Sequence, residues 1–122
     1  MKKKIMIIED ERDLVKAVSF RLEDAGYEVA AAYDGEEGLK KVRSEHPDLI
    51  LLDLMLPKMN GYKVCEALKS DSNVNKIPVI MFTARAQDTD RKMSQAAGVD
   101  AYITKPFESS ELLATIKKLL ER

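Results

Sequence analysis

Short apolar runs alternate with amphipathic stretches five times along this chain, and no other feature constrains its fold as strongly. The runs cover residues 4–8, 27–31, 49–52, 77–82 and 101–103, and each is long enough for a strand but too short for a helix. The stretches between them carry helical stripes. Leu14, Val18 and Leu22, with Val15 beside them, predict a helix over 12–25 that stops at Gly26. Asp34-Gly35 opens a second helix, with Leu39 and Val42 inward, which ends before Pro47. After a loop from Pro57 to Gly61, the residues Tyr62, Val64, Cys65 and Leu68 support a third helix. A weaker helix is expected over 88–97, ending at Gly98. Leu112, Leu113, Ile116, Leu119 and Leu120 form the clearest stripe, within a helix expected over 109–121. The run at 49–52 is apolar at every position, as in a strand covered on both faces. Five βα units with short connections predict a parallel five-stranded sheet, with helices on both faces because the crossovers are right-handed. The fold class is therefore α/β, a three-layer sandwich.

A chain of 122 residues fits one domain, taken as 1–122, and can bury a proper core without staples. The formal net charge of −1 gives no global attraction to nucleic acid or to an anionic membrane, so direct nucleic-acid binding is not expected. Lys2-Lys3-Lys4 reads as a solvated strand start. The single cysteine, Cys65, excludes an intrachain disulfide and fits a reducing compartment. No apolar stretch approaches the ~20 residues of a membrane span, and no signal-like apolar segment is present. A cytoplasmic location is the simplest expectation.

Charged and hydroxyl residues recur where the apolar runs end. Glu9-Asp10 follows Ile5–Ile8, Asp53 closes Leu49–Leu52, Thr83 follows Phe82, and Lys105 comes just after Ile103. In open parallel sheets the ligand site lies beyond the carboxyl ends of the strands, so these groups are expected to converge. Each alone has an ordinary explanation. Glu9-Asp10 reads as an acidic helix start, Thr83 as a β-branched strand end, and Lys105 as a surface lysine. Their shared position argues for a site. Three crowded carboxylates repel one another, and a hard divalent cation relieves the repulsion. Asp10 and Asp53 suit direct ligation, and Glu9 can act directly or through water. An aspartate can also attack phosphorus to give an acyl phosphate. The transition state spreads charge over three equatorial oxygens, so cations and donors must surround them. The metal, Lys105 and the Thr83 hydroxyl supply these.

The set Glu9-Asp10, Asp53-Leu-Met-Leu-Pro57, Asn60-Gly61, Thr83-Ala84 and Lys105-Pro106-Phe107 resembles the receiver domain of bacterial two-component response regulators, in particular the chemotaxis-receiver type. The resemblance covers essentially the whole chain. It implies a flavodoxin-like (βα)5 fold with strand order 2-1-3-4-5. It further implies that a histidine kinase or phosphotransfer protein donates phosphoryl from a phosphohistidine to Asp53, with Mg2+ or Mn2+ required. Carried over, Asp10 and Asp53 are metal ligands, and Met55 contributes its backbone carbonyl. Glu9 stands where the family more often has aspartate and serves through a metal-bound water. Thr83 and Lys105 bind phosphoryl oxygens, Tyr102 is the switch aromatic, and the Lys105-Pro106 peptide is cis. Phosphorylation draws Thr83 inward, Tyr102 follows, and the 88–121 surface changes for a downstream output domain or protein. A homodimer through the 88–121 face is a further possibility that the sequence leaves unread. The chain is then a phosphoacceptor signalling domain, catalysing only its own phosphotransfer and slow autodephosphorylation.

Other residues carry less. His46 lies in a loop before Pro47, a poor platform for phosphotransfer, and Cys65 reads as inert packing. Met55 and Arg85 flank the expected pocket and are candidates for slowing water attack on the acyl phosphate. A haloacid-dehalogenase-type phosphatase needs a second carboxylate two residues after its nucleophile, and Met55 stands there. A flavodoxin-like flavin binder needs a hydroxyl- and glycine-rich first loop, where this chain has Glu9-Asp10-Glu11. A receiver retained only for protein contacts is disfavoured by the intact Asp10, Asp53, Thr83 and Lys105.

Overall fold

Strand and helix alternate as the apolar runs dictate. The computed structural model describes residues 2–84 and 96–122. In it β1 is Lys4–Ile8, α1 Arg12–Asp24, β2 Glu28–Ala32, α2 Gly35–Glu45 and β3 Leu49–Asp53; then follow α3 Gly61–Lys69, β4 Val79–Thr83, β5 Ala101–Thr104 and α4 Ser109–Leu120. All pairings are parallel, and the order is β2-β1-β3-β4-β5. The expected helix at 88–97 falls almost wholly outside the described residues. Among the described residues, no helix is long and apolar enough to cross a membrane.

Two strands start later than the apolar pattern suggests. β2 begins at Glu28, not Tyr27, because the Tyr27 N–H is spent on the Leu22 carbonyl (3.0 Å), closing α1 around Gly26 at φ 98°. β4 begins at Val79, not Ile77. Pro78 has no N–H to give to a ladder, and the Ile77 N–H bonds the Val74 carbonyl at 3.1 Å. At their other ends β3 and β4 each include the functional candidate: Asp53 pairs with Phe82, and Thr83 with Thr104.

The period-2 alternation of strand side chains splits the core in two. Met6, Ile8, Ile50 and Leu52 face Leu39, Val42, Val64 and Leu68 of α2 and α3. Ile5, Ile7, Leu49, Leu51, Ile80 and Phe82 face Val15, Val18, Leu22, Leu112 and Ile116 of α1 and α4. Each such buried side chain contributes about 1.5–3 kcal/mol relative to exposure. Local signals set the helix starts. The Asp34 side chain accepts from the Glu37 N–H (2.8 Å), while Glu37 accepts from the Tyr33 N–H (2.6 Å). Asn60 caps α3 by accepting from the Lys63 N–H at 3.1 Å. Beside it, a Cβ on Gly61 would lie 2.6 Å from the Asp53 carbonyl oxygen, so only glycine lets α3 start against the end of β3.

Candidate functional site

β1 and β3 are adjacent, and the chain reverses its direction of sheet growth between them, which makes their carboxyl ends the switch point of the fold. Glu9 leaves β1 at this point, and its backbone N–H still bonds the Ala32 carbonyl of β2 at 3.0 Å. Asp53 ends β3, Thr83 ends β4 and Lys105 follows β5. Glu9, Asp53 and Thr83 are 1%, 3% and 0% exposed, so three polar residues are buried at one edge of an otherwise apolar sheet. Asp10 is exposed beside them.

The side chains converge. Glu9, Asp10 and Asp53 each offer a carboxylate oxygen, and these oxygens all lie within 4.8 Å of one another. Lys105 Nζ donates to Glu9 Oε1 at 2.7 Å and to Asp53 Oδ1 at 3.4 Å. The other Glu9 oxygen accepts from the Glu11 N–H at 3.0 Å, at the entry to α1. Asp53 Oδ1 also accepts from the Met55 N–H at 3.3 Å. The Lys105-Pro106 peptide is cis, and the Lys105 N–H bonds the Thr83 carbonyl at 2.6 Å, which ties the end of β5 to the end of β4. Met55, whose N–H bonds Asp53, is 68% exposed.

Burial pushes the Glu9 carboxyl above its ordinary value and the Asp53 charge adds to this, against the opposing pull of Lys105 and the Glu11 N–H. For Lys105, burial lowers the ammonium's value, but its bond to Glu9 and the Asp53 charge outweigh this and leave it raised. Two buried carboxylates, Glu9 and Asp53, thus face one ammonium, and the exposed Asp10 adds a third carboxylate beside them. That is an all-oxygen, negatively charged donor set that fits a hard divalent cation.

The structure brings Glu9, Asp10, Asp53 and Lys105 to one edge of the sheet, where the ends of the apolar runs lead one to expect them. Thr83 sits at the expected strand end and is wholly buried. Tyr102 lies in β5 opposite Met81, half-buried against the core on the α2–α3 side. Arg85 lies outside the described residues. One contributor was missed. Phe82 packs edge-on to Phe107 at 5.7 Å between centroids, and Lys105 Nζ lies 5.3 Å from the Phe82 ring centre. These rings form an apolar wall beside the ammonium. Phe107 was visible in the Lys105-Pro106-Phe107 run, but its partner is set only by the pairing of β4 with β5.

Comparison with known proteins gives a consistent result. The family model described as the response regulator receiver domain matches residues 5–117. The alkaline phosphatase synthesis transcriptional regulatory protein PhoP of Bacillus subtilis is 43% identical over 122 residues, which is 100% of this chain and 50% of that protein. The chain thus spans about half the length of the curated relatives it matches. Among solved structures, a CheY-like receiver domain protein of Methanospirillum hungatei superposes with a TM-score of 0.91 at 36% identity, covering 99% of this chain and 95% of that one. The receiver domain of a sensor histidine kinase from Pseudomonas aeruginosa, solved with a magnesium ion coordinated in its active site cleft, gives a TM-score of 0.93 at 27% identity over 100% of both chains.

Proposed function

Because this chain belongs to the response regulator receiver domain family, and so is a signalling domain and phosphorylation-dependent switch of a two-component system, we propose that Asp53 is its phosphoryl acceptor and that a histidine kinase or phosphotransfer protein is the donor. The observation that carries this reading is the meeting of Glu9, Asp10 and Asp53 carboxylates within 4.8 Å, with the Lys105 ammonium 3.4 Å from Asp53.

In the proposed reaction an Asp53 carboxylate oxygen attacks phosphorus. The new bond is O–P, the broken bond is the donor's N–P, and the bonding pair returns to the donor imidazole. Lys105 stands where it meets charge developing on the phosphoryl oxygens, and the Met55 N–H steadies the Asp53 carboxylate. Thr83 is the proposed hydroxyl partner of the phosphoryl group, and Tyr102 responds to its movement. Asp10 and Asp53, with the Met55 carbonyl, are the proposed holders of Mg2+ or Mn2+, and Glu9 stands beside them. When bound, that cation neutralises phosphoryl oxygen charge. Hydrolysis of the acyl phosphate is expected to be slow and confined to the chain's own label, with no turnover of small phosphate esters. The proposed setting is the cytoplasm. The proposed listener is an output domain or protein reading the 88–121 surface, through which a second copy of the chain is also proposed to pair.

Incubation with acetyl phosphate and Mg2+ tests the assignment. The chain should acquire one acid-labile phosphoryl group and Asp53→Asn none. Full labelling of that variant would sink the proposal.

A further inference from the structure

α1 leaves a large apolar side chain in solvent. Phe20 is 66% exposed, while Val18 and Leu22 on the inner face of the same helix are fully buried. A lone exposed apolar residue needs no explanation, but Phe20 borders a groove of 310 Å³ that runs between α1 and β2 and is lined also by Val15, Val29, Ala31 and Tyr33. The Arg12 guanidinium covers the Tyr33 ring at 3.9 Å from its centre and fixes that end of the groove. The edge of the sheet beside it is closed to an added strand. β2 pairs only with β1. Its Glu28 N–H and Ala32 carbonyl turn toward β1, so the Ala31 carbonyl turns outward, where Lys41 Nζ donates to it at 2.7 Å. What this face offers a partner is side-chain packing against α1.

The charges around Phe20 say which partner fits. Lys16 stands four residues before it and Asp24 four residues after, so all three share one exposed stripe of the helix. Neither Lys16 nor Asp24 has an ion-pair partner among the described residues. Two copies of α1 laid parallel would set Lys16 against Lys16 and Asp24 against Asp24. Laid antiparallel about a two-fold axis at Phe20, they set Lys16 of each copy against Asp24 of the other, twice over. The stripe is complementary to itself in that one arrangement.

We propose that the outer face of α1, with the groove beside β2, docks a second copy of this chain, the two α1 helices running antiparallel and each Phe20 ring entering the other copy's groove. This surface is separate from the 88–121 surface and does not depend on phosphorylation. Phe20 lies about 12 Å along α1 from Arg12, so the pairing leaves the carboxylate cleft open. The two rings supply the affinity, and the ion pairs, being solvent-exposed, set the register.

Sedimentation velocity of the unphosphorylated chain, at low ionic strength and up to about 1 mM, tests this. The wild-type chain should show a reversible monomer–dimer equilibrium. Phe20→Ser should weaken it about a hundredfold, since each dimer loses two buried rings. Lys16→Glu and Asp24→Lys should each weaken it about tenfold, because each sets like charges together twice. The double variant Lys16→Glu/Asp24→Lys restores both opposite-charge pairs at unchanged net charge and should return the affinity to within about threefold of wild type. All three side chains are exposed, so the variants should keep the wild-type thermal midpoint. A chain that stays monomeric at about 1 mM overturns the proposal. So does a dimer that Phe20→Ser leaves equally tight, which is the result that pairing through 88–121 would give. A double variant no tighter than its two single parents overturns the antiparallel arrangement and the proposal with it.

Discussion

Lys105 is the residue on which the site's electrostatics turn. It faces two carboxylates across 52 and 96 residues of sequence separation and is the one cation hydrogen-bonded to Asp53 among the described residues. A phosphoryl group on Asp53 adds charge and acceptors where Lys105 already stands. We expect Lys105→Ala to accept phosphate from acetyl phosphate, about a hundredfold more slowly. Its phosphorylated form should leave affinity for the output partner unchanged, as measured by calorimetry with and without phosphorylation. Normal partner switching in that variant counts against the assigned role. Cys65 is the opposite case. It is fully buried, its thiol donates to the Ala97 carbonyl at 3.3 Å, and burial pushes it up to about 11, so it stays a protonated packing group at neutral pH. The expectation of inert packing holds for it.

At the scale of elements, the opposite end of the sheet has its own polar hub. Asp100, just before β5, accepts from the Val79 N–H at 2.8 Å, from Lys69 Nζ at 3.0 Å and from Arg122 Nη2 at 2.8 Å. One carboxylate thereby joins the start of β4, the end of α3 and Arg122, the second residue after α4. Burial pushes the Asp100 carboxyl up, but its bonds to Arg122, the Val79 N–H and Lys69 outweigh this, and the net value lies below the ordinary one. The sign follows. A depressed carboxyl contributes stability that is complete above its unfolded value of about 3.9 and is lost as pH falls through the lower folded value. Asp100→Asn should therefore cost about 1–3 kcal/mol at pH 7, and the gap to wild type should close below about pH 4. Urea unfolding across pH measures this, and a gap independent of pH refutes the assignment. Nothing in the local sequence around Val99-Asp100-Ala101 marks this role, because all three of its partners come from other elements.

For the whole molecule, the two-faced core fixes the sheet and the sheet edge carries the chemistry. Repulsion among Glu9, Asp10 and Asp53 is a cost borne by the folded state, and a cation bound there relieves it only when the chain is folded. Mg2+ at a hundred times its Kd should stabilise the fold by about 2.7 kcal/mol, a Tm rise of several degrees. EDTA should reverse the rise and Asp53→Asn should diminish it. Differential scanning calorimetry decides this, and a Tm indifferent to Mg2+ removes the cation from the proposal. Much of this was legible beforehand. The apolar runs and stripes determined the number and type of the described elements, since burial on both faces of a parallel sheet demands that pattern. The residues that end the runs, Glu9, Asp53, Thr83 and Lys105, announced one edge of one sheet. Strand starts were less legible, because Tyr27 and Ile77 spend their N–H groups on turns that periodicity does not encode. Sequence alone thus determined which side chains lie at the carboxyl ends of the strands. Only the tertiary structure decided that Lys105 bonds Glu9 more closely than Asp53, that Phe82 and Phe107 wall the ammonium, and that Asp100 gathers Lys69 and Arg122. Those pairings depend on how neighbouring strands register and how far each side chain reaches, and neither is a property of any local stretch of chain.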